Sequence, residues 1–139
     1  MHDIIRKYID KLMTSSPDMP LWNIESIRQG KKPAWNYIDG CMMNCILELY
    51  KMTNNKVYLD FVDSYIGHFV ENDGTINTYN PNKYVLDDIC ESKVLFDLYK
   101  YTNNEKYLKA IFYTYKHIEN QPRTKEGNFW HKEIYPHQI

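Results

Sequence analysis

Residues 49–59 read LYKMTNNKVYL and residues 98–108 read LYKYTNNEKYL, with eight of eleven positions identical at an offset of 49 residues. Each copy joins the end of one amphipathic stretch to the start of the next. A repeat of this length and pattern constrains a chain to an array of helical hairpins, in which each unit buries its apolar faces against its neighbours. The 139 residues hold only about two and a half such units. The expected architecture is therefore all-α, an open arc of helical hairpins that forms the opening portion of a larger α/α array.

Apolar spacing divides the chain further. Ile4, Ile5, Tyr8, Ile9, Leu12 and Met13 predict a first helix over 3–13, capped by Asp3. After the break TSSPDMP, residues 20–34 read as a loop with two prolines. A second helix runs to about Thr53, with Ile38, Cys41, Met42, Cys45, Ile46 and Leu49 facing inward. Asn54–Asn55 make a tight turn into a third helix ending near Val70. A second loop covers 71–85, and a fourth helix spans 86–102. After Asn103–Asn104 the fifth spans 105–120, with Tyr107, Leu108, Ile111, Phe112, Tyr115 and Ile118 inward. Short and long connections alternate, so in a hairpin array they lie on opposite rims. Long loops in compact domains are often functional, and the rim that gathers them is where a site is expected.

The charge balance of 17 basic against 18 acidic residues lacks the concentrated basic surface of a nucleic-acid binder. No apolar run reaches the roughly 18 residues of a membrane span. The N-terminal MHDIIRKYIDKLM is interrupted by charge, unlike a secretory signal, and the expected location is cytoplasmic. Cys41, Cys45 and Cys90 form no disulfide framework and no metal-ligand spacing. They are expected as buried, reduced thiols, and neither a metal nor a cofactor is expected.

All three tryptophans, Trp22, Trp35 and Trp130, fall in the long loops or at the helix start that follows, among Asn, Asp, Tyr and His. Aromatic faces beside polar groups suit a sugar ring, which presents C–H faces and hydroxyls. They equally suit loops stapled to a core. Asp87 and Asp88 open the fourth helix, and the repeat aligns Asp88 with Asp39. A carboxylate at a helix start is favoured by the macrodipole. Asp87 has no acidic counterpart, since Ile38 stands there, and a desolvated carboxyl could serve acid–base work. His131 and Lys132, with Arg28, Lys31, Lys32, Arg123 and Lys125 on the same rim, could meet an anionic substrate.

PLWNIESIRQGKKPAWNYIDGCMMNCILELY, the LDDI of Leu86–Ile89 and PRTKEGNFWHKEIYPHQI together resemble the N-terminal part of glycoside hydrolase family 105. These are the unsaturated rhamnogalacturonyl hydrolases, relatives of the family 88 unsaturated glucuronyl hydrolases. The resemblance covers essentially the whole chain and implies that residues 1–139 are the N-terminal portion of a single (α/α)6 barrel domain. It implies an oligosaccharide substrate ending in a 4,5-unsaturated uronic acid, such as a rhamnogalacturonan lyase product. An Asp protonates C4 of the vinyl ether, water adds at C5, and the hemiketal rearranges, with no glycosyl-enzyme and no cofactor. By resemblance Asp87 is the second active-site Asp. Trp35, Tyr37, Asp88, Trp130, His131, Lys132 and His137 are the expected substrate-binding wall. The family's principal acid lies in a Trp-Leu-Asp-Gly that follows the segment matching Tyr135–Ile139. The chain is thus expected to be truncated before that Asp and inactive alone. The alternative from the residues is a non-catalytic helical-repeat module binding a peptide or another chain.

Overall fold

A computed structural model of the chain describes residues 3–134. Its helices are α1 (Asp3–Leu12), α2 (Ile24–Arg28), α3 (Tyr37–Thr53), α4 (Lys56–Gly67), α5 (Asp87–Glu91), α6 (Val94–Thr102) and α7 (Glu105–Asn120). A 3₁₀ turn sits at Pro81–Lys83. Among the described residues there is no β-strand beyond isolated bridges, and the all-α expectation holds.

The repeated Thr-Asn-Asn turn is one device used twice. Asn54 (φ 54°) and Asn103 (φ 53°) take the left-handed conformation and close α3 and α6, donating their N–H groups to the carbonyls of Tyr50 and Tyr99. Asparagine tolerates this conformation better than most residues. Asn55 and Asn104 then cap α4 and α7, their side-chain oxygens accepting from the N–H of Val57 and Lys106 at 3.2 Å. A capping oxygen satisfies a donor that the helix start leaves unpaired. The long loops also begin alike. Gly74 (φ 88°) and Gly127 (φ 90°) turn two small antiparallel ribbons, bridged at Val70–Ile76 and Arg123–Phe129.

Between the two repeats, α3 and α5 cross at Gly40. A Cβ built there would stand 2.3 Å from the Glu91 Cα. Only glycine lets the two backbones approach so closely. Met43, Leu47, Val62, Ile66, Val94, Leu95, Leu98 and Tyr107 are fully buried in the core. Lys51 of α3 pairs with Asp97 of α6 at 2.7 Å. The Tyr107 hydroxyl of α7 donates to the Asp63 carboxylate of α4.

Several expectations are corrected. The fourth helix divides into α5 and α6 at Ser92–Lys93, and the first loop carries the short α2. On α3, Ile38 is exposed and Cys45 with it, while Asp39, Gly40, Met43 and Leu47 take the buried face. The crossing at Gly40 rotates α3 toward α5 and away from the purely apolar stripe. Phe112, Tyr115 and Ile118 are exposed, and α7 instead buries Tyr107, Ala110, Thr114 and His117. The thiols are free, but Cys41 and Cys90 are half-buried and Cys45 is exposed rather than buried.

The long connections do gather on one rim. The Leu86 N–H donates to the His131 carbonyl at 3.0 Å, and Glu133 N–H to Lys83 at 3.1 Å. The Trp35 N–H donates to the Thr78 hydroxyl at 2.7 Å. These bonds join all three loops.

Gly40→Ala is expected to destabilise the fold by about 1–3 kcal/mol, because the neighbouring atom is backbone and cannot rotate away. Urea unfolding checks this; an unchanged midpoint would mean that the helices do not cross there.

Candidate active site

The site is built where α3 and α5 begin. Asn36 caps α3 by accepting from the Asp39 N–H at 3.0 Å, and its amide donates to the Asp39 carboxylate at 2.9 Å. That carboxylate also accepts from the Trp22 indole N–H at 2.8 Å and the Tyr65 hydroxyl at 2.7 Å. Three side-chain donors compensate a carboxylate that is 3% exposed, as burial of a charge requires. Asp39 is therefore a structural hub, consistent with a helix-start role but far more deeply held than one.

Glu91 is fully buried on the other side of the crossing. It accepts from the Asn36 N–H. Burial, then the charges of Asp39 and Asp88, push its carboxyl well above the usual range, while the Asn36 hydrogen bond opposes them. Its second oxygen has no partner. Nothing in the apolar spacing singled out Glu91. Its neighbour in space is Gly40, whose missing side chain admits it.

Asp87 and Asp88 diverge in environment. Asp87 is half-exposed and faces His131, with Nε2 3.4 Å from Oδ2. Asp88 is half-buried. Its carboxyl is pushed up to about 6 by burial and by the Asp87 charge, against Lys83 and Lys132. Both line an open cavity of about 380 Å³ with Asn36, Tyr37, Asp39, Lys31 and Lys32. A carboxyl whose affinity for a proton is raised, on a cavity wall beside a second aspartate, is a recurring feature of acid–base sites.

The other expected site residues separate by position. Tyr37 is exposed on the cavity wall. Trp35 is 4% exposed, so its ring is core rather than a sugar platform. Its indole N–H donates to the Asp88 carbonyl at 2.9 Å and so holds the aspartate pair in place. Trp22 likewise packs on Phe61 and Tyr65. Trp130 is half-buried beside the loop, its carbonyl accepting from Gln121. His131 reaches Asp87, and Lys132 acts on Asp88 through its charge. His137 lies outside the described residues.

An array of helical hairpins with a loop-built, carboxylate-lined rim cavity is the architecture of a class of glycosidases. The comparison with known families agrees: residues 4–139 match the model of Glycosyl Hydrolase Family 88, and the chain belongs to that family. It is also similar to a solved glycoside hydrolase from family 105 of C. acetobutylicum ATCC 824, with 40% identity and a TM-score of 0.75 over 93% of this chain. The chain spans 34% of the length of that relative, and the resemblance identifies a section of its helical barrel. No helix among the described residues is long and apolar enough to cross a membrane.

Two outcomes follow from the buried carboxyls. Trp22→Phe removes a donor to buried Asp39 and is expected to cost about 1–3 kcal/mol in chemical denaturation. Glu91 holds its proton more tightly folded than unfolded, so its contribution lowers stability as pH rises above the ordinary value near 4.5. Glu91→Gln is expected to flatten that fall; a pH–stability profile identical to wild type would show that Glu91 ionises normally in the folded protein.

Proposed function

We propose that these residues form part of the catalytic domain of a glycoside hydrolase acting on oligosaccharides that end in a 4,5-unsaturated galacturonic or glucuronic acid. The observation that carries the reading is Asp88. A carboxyl pushed up to about 6, on the wall of an open cavity and next to a second aspartate, keeps a proton available near neutral pH. The cavity also presents Lys31 and Lys32, cations suited to a uronate carboxylate. Exposed Tyr37 offers a ring face and a hydroxyl to the sugar.

In this reading a proton passes from an aspartic acid to C4 of the C4=C5 bond, and the positive charge develops at C5 and the ring oxygen. Water adds at C5. The hemiketal opens and releases the remaining sugar, so the glycosidic bond is lost without attack at the anomeric carbon. This differs from the two-carboxylate displacement of most glycosidases. The principal acid belongs to the Trp-Leu-Asp-Gly that follows these residues in the family. Asp87 and Asp88 supply the second carboxylate and hold the sugar, with His131 steering Asp87. Residues 1–139 contribute the N-terminal wall of one barrel domain.

The test uses a polypeptide extended through Trp-Leu-Asp-Gly and the rest of the barrel. It is expected to consume unsaturated uronides with loss of the ultraviolet absorbance of the conjugated double bond. Asp87→Asn and Asp88→Asn are each expected to lower kcat by about 10²–10⁴-fold. His131→Ala is expected to raise KM more than it lowers kcat, because its contact is shared by ground and transition states. Release of saturated uronides with no absorbance change would contradict the reading. Robust turnover by the 139-residue chain would make Asp88 the principal acid.

A further inference from the structure

Asp87 and His131 meet side chain to side chain, yet one follows the second long loop and the other lies in the third. Two backbone bonds join those loops directly, from the Leu86 N–H to the His131 carbonyl and from the Glu133 N–H to the Lys83 carbonyl. One buried side chain also reaches both. Gln121, 4% exposed, donates from Nε2 to the Tyr84 carbonyl at 2.9 Å and to the Trp130 carbonyl at 2.7 Å. A primary amide carries two N–H donors in a fixed plane, and here each has its own acceptor. Turned the other way, the amide would set its oxygen against two carbonyl oxygens, so the acceptors fix its orientation. Tyr84 stands three residues before Asp87, and Trp130 is the residue before His131. The Trp130 N–H also donates to the Pro122 carbonyl at 2.9 Å. Both loops are thus fastened to the end of α7.

Closing the helix does not call for this residue. Gln121 is the C-cap of α7, and the C-cap of α4 is His68. Each stands two residues before the first bridged residue of its ribbon, Arg123 or Val70. His68 is exposed, and its ribbon forms all the same. The buried amide of Gln121 serves the loops rather than the helix end. We propose that Gln121 is a positioning residue: its carboxamide fixes His131 against Asp87 and so sets how tightly the sugar is held. This rests on the reading of the neighbouring cavity as the uronide site. Gln121 does not line that cavity, and it acts through the backbone of the two loops.

Two measurements test this, and the first needs no substrate. Hydrogen–deuterium exchange of the 139-residue chain reads the Leu86 and Glu133 amides, the donors of the two bonds between the loops. Gln121→Met keeps the length of the side chain and removes its donors. It is expected to speed exchange at both amides by about 10-fold, with the Val62 amide of α4 unchanged. Gln121→Glu, which as a carboxylate also lacks the donors, is expected to do the same. Wild-type exchange at Leu86 and Glu133 in both variants, or an equal rise at Val62 in both, would overturn the proposal. The amide would then be idle or a general prop of the fold. The second measurement uses the polypeptide extended through the rest of the barrel, with unsaturated uronides. Gln121→Met is expected to raise KM by about 10-fold with kcat within about 2-fold of wild type. In a His131→Ala background it is expected to add nothing, since both changes remove the same contact. A fall in kcat at unchanged KM, or KM effects that multiply, would overturn the proposal. A wild-type polypeptide that leaves unsaturated uronides intact would contradict the proposed substrate instead, and exchange at Leu86 and Glu133 would still decide the role of Gln121.

Discussion

The structure depends on the contact between Gly40 and Glu91. A helix pair usually keeps its axes apart by the width of its side chains. Here a missing Cβ removes that spacer, and the backbones of α3 and α5 touch. The starts of both helices are thereby brought together, each with an aspartate in its first turn. The same approach buries Glu91 where it can accept from the Asn36 N–H. The cap of one repeat is thus satisfied by an acid of the next. Burial, then the charges of Asp39 and Asp88, raise the carboxyl of Glu91, and burial, then the charge of Asp87, raise that of Asp88. The raised affinity of Asp88 for its proton follows from how the helices pack.

Much of the fold was legible because it is written twice. The Thr-Asn-Asn turns specify a left-handed close and a side-chain cap in three residues, and both copies do the same work. Alternation of short and long connections placed the loops on one rim, where hydrogen bonds do tie them together. The buried faces were less legible. Phe112, Tyr115 and Ile118 have the spacing of a core stripe, but a stripe says only that a face is apolar. It does not say whether a neighbour covers it. On α3 the helix turned its glycine, not its largest apolar side chains, toward the closest partner.

The site was half legible. The aspartate pair, Tyr37, Lys31 and Lys32 could be named from their place on the rim, and they line one cavity, whereas Arg28, Arg123 and Lys125 do not line it. The different surroundings of Asp87 and Asp88 could not be read, since adjacent residues on a helix point in different directions by about 100°. Trp35 has the residue type of a sugar platform and the position of a loop staple. Its indole serves the second purpose, bonding the Asp88 carbonyl. Glu91 had no visible signal, because its importance lies in the space left by Gly40.

The account rests on the packing of α3 and α5 holding a proton on the cavity wall at Asp88. A ¹³C carboxyl titration of the wild-type protein by nuclear magnetic resonance reads this directly. The account predicts that Asp88 titrates near 6, well separated from the exposed carboxylates. Titration of Asp88 near its ordinary value of 3.8 would contradict it, since the carboxyl would then be solvated and no proton would be held on the cavity wall near neutral pH.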